Sequence, residues 1–368
     1  MKNQNKIKVL QVVGSMNNGG VEAFVLSFYR ELHELCEFTF VCFDDSIHIP
    51  EEEIKSLGGK IVVVPHVKHL KAFNKAFDKV LKEEKYDIIH SNLNTLSVFP
   101  LRIAKKNGYK IRIAHSHSAS NKKEFKRHIA KLILRMFSKK YANVYFACSE
   151  VAGRFQFGNK AYDKGLVTII NNGIDLEKYK FDPQVRKEIR NKLGIKDDEY
   201  LVGNIGRLVE TKNQQFILKI AKRCPDKKFI ILGNGELEQP FKEEIKNSGL
   251  LNVQLEVTTG NIVGYYSAFD MFLLPSLYEG LGLAMIEAEA NGLYIICSEF
   301  VPSVTLLTGY GSYLPIGDED IDKWVEIINS TPARKDLSYK IKEQGYDVKE
   351  SAKDLYNRYL HLIEKYNG

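Results

Sequence analysis

The 368-residue sequence has no apolar run approaching the roughly 18 residues of a membrane-spanning helix. Its basic start, MKNQNKIKVLQVVGSM, carries an apolar stretch too short for a signal-peptide core and reads as a first β-strand. The expectation is therefore a cytosolic protein. Cysteine is scarce and scattered, at Cys36, Cys42, Cys148, Cys224 and Cys297. An odd number with no C-x-x-C pair excludes a disulfide framework and a structural zinc, and predicts reduced thiols. No G-x-G-x-x-G follows the first strand, which argues against a dinucleotide-dependent oxidoreductase. No D-x-D stands in a loop after a strand. The acidic cluster at Asp318, Glu319, Asp320 and Asp322 instead suits the start of a helix, where carboxylates complement the dipole. No metal site is expected. Basic stretches interleaved with aromatics are missing, so no nucleic-acid partner is expected. Repeats and low-complexity tracts are absent.

What is present is an ordinary globular composition, 44% apolar with a net charge of +7, in a chain long enough for two domains. Short apolar runs at Ile7–Val13, Phe38–Phe43, Lys60–Val64, Ile88–Ser91, Ile111–Ala114, Val144–Ala147 and Val167–Ile170 read as strands. Amphipathic stretches such as Val21–Leu35 and Leu70–Glu84 alternate with them. That alternation predicts an α/β fold with a doubly wound parallel sheet. Asn-Gly followed by charge and proline, NNGIDLEKYKFDP, marks a linker between Gly173 and Pro183. A second series follows: helix Gln184–Leu193, then strands Tyr200–Ile205, Phe229–Leu232, Val253–Val257 and Met271–Leu274.

Ligands of such folds sit beyond the carboxyl ends of the strands, so polar residues there are the candidates. Gly19-Gly20 opens the first helix, where free N–H groups and the dipole suit a phosphate or make a plain tight turn. His115 and His117 directly follow a strand in IRIAHSHSAS. Arg207 and Lys212 flank the start of a helix after strand Tyr200–Ile205, a good anion site. After Met271–Leu274, PSLYEGLGLAMIEAEANG places Glu279 in a glycine-rich loop and Glu287 on the following helix. No Lys or Arg occurs between Ser276 and Cys297. Carboxylates without a local cation face solvent or meet a ligand that donates hydrogen bonds, such as sugar or ribose hydroxyls. Glu289 reads as a solvated surface residue.

Residues 121–142 form one more element. Phe125, Ile129, Leu132, Ile133, Met136 and Phe137 recur at helical spacing. Lys122, Lys123, Lys126, Arg127, Lys131, Arg135, Lys139 and Lys140 line the other face against a single Glu124. The apolar stripe is expected to pack on the first domain and the basic face to meet an anionic membrane surface or acceptor.

The string PSLYEGLGLAMIEAEANGL resembles the signature of family 4 glycosyltransferases, retaining enzymes of GT-B fold with two Rossmann-like domains facing across a cleft. The resemblance extends to GRLVETKNQQF, to the Gly233-Asn234-Gly235 turn, to N-G-I-D at the domain boundary, and to G-G-x-E at Gly19–Glu22. It implies an N-terminal acceptor-side domain over 1–176 and a nucleotide-sugar-binding domain over 177–348. A helix over 349–368 would return to the first domain. It also implies roles. Arg207 and Lys212 would neutralise the donor diphosphate, Glu287 would hold the ribose, and Glu279 and His115 (or His117) would contact the transferred sugar. Gly19, Gly20, Gly282 and Leu283 would complete the donor site. After Val253–Val257 the family usually carries a glycine and an arginine, where this chain has Val257 and Thr259. That loop borders the base, leaving the base open, with UDP-sugar favoured and no separate cofactor.

The resemblance is closest to bacterial exopolysaccharide and capsule enzymes. It implies sugar transfer from a nucleotide-diphosphate donor to a lipid-linked or oligosaccharide acceptor at the inner membrane face. A sugar-nucleotide 2-epimerase on the same scaffold, or a non-catalytic sugar-binding subunit, are the other readings.

Overall fold

A computed structural model describes residues 6–17, 19–118, 125–257 and 262–367. The chain forms two compact units, one comprising Met1–Gly173 with Gly345–Gly368 and the other Ile174–Gln344.

The first unit is built on seven parallel strands: β1 (Ile7–Gly14), β2 (Cys36–Phe43), β3 (Lys60–Val64), β4 (Ile88–Ser91), β5 (Arg112–Ser116), β6 (Val144–Ala147) and β7 (Val167–Ile169). Their order is β3-β2-β1-β4-β5-β6-β7. The order reverses direction at β1 and β4, whose carboxyl ends therefore flank the open crevice of a doubly wound sheet. Interior strands such as β1 and β2 are buried on both faces, which explains why they read as near-continuous apolar runs. Helices cover both sheet faces. Phe24, Phe28 and Leu32 of helix Gly20–Leu32 pack with Val9, Phe38 and Phe40 on one side. The terminal helix Val348–Asn367 joins this core through Val348, Ala352, Leu355 and Tyr359, so it belongs to the first unit although it follows the second in sequence.

The second unit has six parallel strands: β8 (Leu201–Ile205), β9 (Lys228–Leu232), β10 (Val253–Glu256), β11 (Met271–Leu274), β12 (Tyr294–Ser298) and β13 (Gly311–Leu314). The order β10-β9-β8-β11-β12-β13 puts the reversal at β8 and β11. β12 and β13 are not among the strands expected from the sequence. Only three residues separate β12 from helix Leu283–Ala290, and β13 is a half-buried four-residue edge strand that reads as loop. A buried cluster anchors Trp324 against Phe216, and Trp324 Nε1 donates to Pro315 O at 2.8 Å. Asp318–Asp320 form a 3₁₀ turn leading into helix Ile321–Asn329.

All five cysteines are buried free thiols, and burial pushes those of Cys36 and Cys42 up to about 12, which keeps them protonated.

Helix Phe125–Tyr141 departs from expectation. Its apolar stripe does not pack inward: Ile129, Ile133, Met136 and Phe137 are 42, 54, 73 and 40% exposed. The inward side carries half-buried Leu134 and buried Ser138, spaced i and i+4, with Leu134 and Lys131 bordering a cavity shared with Leu93, Leu96 and Phe155. Both candidate faces carry apolar residues. Residues 119–124, including Lys122, Lys123 and Glu124, lie outside the described residues, as do the side chains of Phe125, Lys126 and Arg127.

Candidate functional site

In the second unit the residues singled out from sequence converge on the β8/β11 switch point. The loop after β8 is held against the loop after β11 by two links. Leu277 N donates to Thr211 O at 2.8 Å, and Asn213 Nδ2 to Pro275 O at 3.1 Å. Asn213 itself takes the left-handed conformation at φ 52°, tolerable for Asn. Strand β9 ends against the same loop: a Cβ at Gly233 would fall 1.9 Å from Gly206 O, so only glycine lets the two backbones meet. Gly282 caps helix Leu283–Ala290 at φ 71°, again a conformation that favours glycine.

Lys212 and Glu279 do not stand apart. Lys212 Nζ donates to Glu279 Oε1 at 2.5 Å, and Ser276 Oγ donates to the same oxygen at 2.7 Å. The expectation that Glu279 lacks a cation is thus corrected. Its own segment has none, but the loop after β8 supplies one. Arg207 is exposed and has no ion pair among the described residues. Glu287 is bound on both oxygens, by Tyr179 Oη at 2.9 Å and Tyr266 Oη at 2.6 Å. Burial raises its pKa, and the two phenols oppose the shift. An ionised carboxylate keeps about two further acceptor positions beyond these two bonds.

Glu289 is not a surface residue. It is 1% exposed and accepts from Leu307 N, Thr308 N and Thr308 Oγ1 at 3.2, 2.8 and 2.6 Å. Burial pushes its carboxyl up to about 7 against those three donors. The helix buries Met285, Ile286, Ala288 and Ala290 too, so Glu289 lies on its inward face and fastens the segment 307–308 to it.

In the first unit, Gly19 caps helix Gly20–Leu32, and Asn17 N donates to Glu22 Oε1 at 2.8 Å. A carboxylate thus already complements this helix start. His115, on β5, is fully buried. His90 on β4 lies beside it, Nε2 to His115 Nδ1 at 3.0 Å, with the rings stacked. His90 Nδ1 meets Tyr359 Oη of the terminal helix at 2.6 Å. His117 stacks on His115 with centroids 4.1 Å apart, and its Nε2 meets Asn92 Oδ1 at 3.0 Å. Burial pushes His90 and His117 down to about 3 and His115 well below the ordinary range, so all three rings are neutral.

The sequence matches two family models, Glycosyltransferase Family 4 over residues 18–178 and Glycosyl transferases group 1 over 185–348. It is 30% identical over 380 residues to the putative glycosyltransferase EpsF of Bacillus subtilis, with 99% of each chain covered. The chain belongs to glycosyltransferase family 4. A UDP-Gal:alpha-D-GlcNAc-diphosphoundecaprenol alpha-1,3-galactosyltransferase of Escherichia coli is 26% identical over 304 residues, covering 77% of this chain and 78% of that one. The crystal structure of HepE from Anabaena in complex with UDP superposes with a TM-score of 0.72 at 18% identity over 98% of both chains, which establishes the GT-B fold.

Among the described residues, this family 4 glycosyltransferase brings together Arg207, Lys212, Glu279, Gly282, Leu283 and Glu287 in one unit. It places Gly19, Gly20, His115 and His117 in the other. Sequence reading missed the partners: Ser276, Tyr179 and Tyr266 around the glutamates, and His90, Gln11, Asn92 and Tyr359 around the histidines. His90 had a visible signal, a histidine inside the apolar run IIHS. Tyr359 had none, being one aromatic on a C-terminal amphipathic helix. Thr259, one of the two departures from the family pattern, lies outside the described residues.

Proposed function

We propose that this enzyme transfers a sugar, with retention of anomeric configuration, from a UDP-sugar to a polyprenyl-diphosphate-linked saccharide in polysaccharide assembly. The observation that carries the reading is the convergence of Arg207, the Lys212–Glu279 pair and Glu287 at the β8/β11 edge. The donor and acceptor classes are those in the names of the similar galactosyltransferase and the UDP complex of HepE. In this reading Arg207 binds the diphosphate bidentately and Lys212 adds a second charge, so both stabilise the negative charge that grows on the leaving group. Glu279, fixed by Lys212 and Ser276, accepts from a sugar hydroxyl, and Glu287 accepts from the ribose diol. Arg207, with Lys212 shared between Glu279 and the donor, takes the place of a divalent metal at the diphosphate. Attack on the same face as the departing phosphate gives retention without a protein nucleophile.

Association with the bilayer completes the proposal. No helix among the described residues is long and apolar enough to cross a membrane. Helix Phe125–Tyr141 carries four exposed apolar side chains together with Lys139 and Lys140, also exposed. An apolar ridge flanked by cations suits the interface of an anionic membrane, which is where a polyprenyl acceptor is held.

The test is incubation with a panel of nucleotide sugars and a polyprenyl-diphosphate saccharide, with and without EDTA, followed by NMR of the product linkage. A new glycolipid of unchanged anomeric configuration, formed equally in EDTA, is expected. An inverted product, or loss of turnover in EDTA restored by magnesium, would overturn the corresponding part. Interconversion of sugar nucleotides without acceptor would identify an epimerase instead.

A further inference from the structure

Two buried ring nitrogens in the first unit have no partner among the described residues, His115 Nε2 and His117 Nδ1. They are the two ends of a single hydrogen-bonded chain. His117 Nε2 meets Asn92 Oδ1 at 3.0 Å, Asn92 Nδ2 donates to Gln11 Oε1 at 2.8 Å, and Gln11 Nε2 donates to Tyr359 Oη at 3.4 Å. Tyr359 Oη then meets His90 Nδ1 at 2.6 Å, and His90 Nε2 meets His115 Nδ1 at 3.0 Å. The chain crosses the β1/β4 switch point, drawing Gln11 from β1, His90 from β4, His115 from β5 and Tyr359 from the terminal helix.

Each link holds one proton, and this fixes its sense. With Gln11 donating to Tyr359, the phenol proton goes to His90 Nδ1. His90 then carries its proton on Nε2 and donates to His115 Nδ1, so the His115 proton sits on Nε2. At the far end Asn92 Oδ1 can only accept, so His117 is also protonated on Nε2 and its Nδ1 is a bare acceptor. Rotating both amides reverses every link together. His115 Nε2 then becomes the acceptor and His117 Nδ1 the donor. In either sense one free nitrogen donates, the other accepts, and all three rings carry their proton on the same-named nitrogen.

We propose that Tyr359, His90, Gln11 and Asn92 are positioning residues that hold His115 and His117 as a matched donor–acceptor pair for a ligand hydroxyl. A hydroxyl both accepts and donates, so it satisfies either sense of the chain. A phosphate oxygen, accepting only, satisfies one end and leaves the other bare. Neutral rings offer a phosphate no charge either. The pair therefore suits a hydroxyl rather than a phosphate oxygen, and assigning that hydroxyl to a sugar rests on the function proposed above. Phe24 stands against both rings, centroids 5.0 and 4.9 Å away, and supplies an apolar wall that keeps the chain from exchanging its bonds with water.

The test is long-range ¹H–¹⁵N correlation NMR on the full-length protein labelled with ¹⁵N-histidine, at neutral pH and without ligand, with assignment by single His→Gln variants. The expected result is three neutral rings, His90, His115 and His117, with a common tautomer. Any one of the three protonated on the other nitrogen, or present as imidazolium, overturns the proposal. Tyr359→Phe cuts the chain at its centre while keeping the ring. It should leave the His90 and His115 signals as mixtures of both tautomers and lower kcat/KM for transfer severalfold. Tyr359→Phe with unmixed tautomers and unchanged kcat/KM would also overturn it. The tautomers are read without substrate, so a protein that proves not to transfer sugars would still confirm or refute the chain.

Discussion

Lys212 and Glu279 are separated by 67 residues of sequence and meet with Nζ 2.5 Å from Oε1. The contact joins the loops after β8 and β11 across the switch point of the second sheet. It also sets the charge balance there: Glu279 offsets Lys212, and Arg207 is left as the cation without an ion pair among the described residues.

Breaking the pair from one side strands a nearly buried carboxylate, since the Glu279 side chain is 7% exposed. Lys212→Met should cost about 2–3 kcal/mol of stability in urea unfolding, below the usual range for buried pairs because Lys212 is partly solvated. Lys212→Met combined with Glu279→Leu should recover most of that loss and still fail to transfer sugar. Additive losses in the double variant would show that the two residues do not act as a pair.

Glu287→Ala leaves the Tyr179 and Tyr266 hydroxyls, and in the proposed reaction the ribose diol, without their common acceptor. Binding of UDP, followed by calorimetry, should weaken by about 1–3 kcal/mol, or roughly 5–150-fold. Tyr179→Phe should have a smaller effect, because Tyr266 still orients the carboxylate. Unchanged UDP affinity in folded Glu287→Ala would remove it from the nucleotide site.

The buried groups of the two units respond oppositely to acid. His90 and His115 have folded pKa values far below the unfolded one, so only the unfolded chain takes up protons below about pH 6.5. Lowering the pH from 7 to 5 should cost about 2 kcal/mol for each such ring. Glu289 titrates near 7 when folded, above its unfolded value. Its protonation stabilises the fold as pH falls through 7, and that contribution is lost as pH rises. Thermal melts from pH 8 to pH 5 should therefore show Glu289→Gln losing stability with acid more steeply than wild type. Parallel profiles would contradict the assignment of Glu289.

Membrane binding should have an apolar part as well as an electrostatic one. Each cation near an anionic bilayer contributes about 1 kcal/mol, and salt removes that part. Cosedimentation with anionic liposomes should fall with salt to a residual level. Lys139→Gln/Lys140→Gln should reduce binding at low salt only, and Ile133→Ser/Met136→Ser should reduce it at every salt concentration. No binding, or binding indifferent to both changes, would leave the helix a solvated element.

The two sheets were legible because their strands are short apolar runs bounded by turns, and interior parallel strands have no polar face to confuse the pattern. Bounds for β3, β4, β6 and β11 agree with the sequence reading residue for residue. The candidate site was legible where one segment carried it, as in Glu279, Gly282 and Glu287. It was not legible where partners come from distant segments. The cation on Glu279, the phenols on Glu287 and the Tyr359 hydroxyl behind His90 are joined only by tertiary packing. The two orientation errors share a cause. Periodicity shows that Ile129 and Ile133, or Glu287 and Glu289, lie on different or common faces, but it does not say which face the neighbouring helices cover.

The proposed reaction depends most on the donor diphosphate lying at the β8 edge against Arg207. The direct measurement is the rate of transfer of radiolabelled sugar from its UDP donor to a polyprenyl-diphosphate saccharide, for wild type and Arg207→Ala, with folding checked by thermal melting. Loss of one preorganised charge at the leaving group should lower kcat by about 10²–10³-fold with the melting temperature unchanged. Transfer by Arg207→Ala at the wild-type rate would contradict the account.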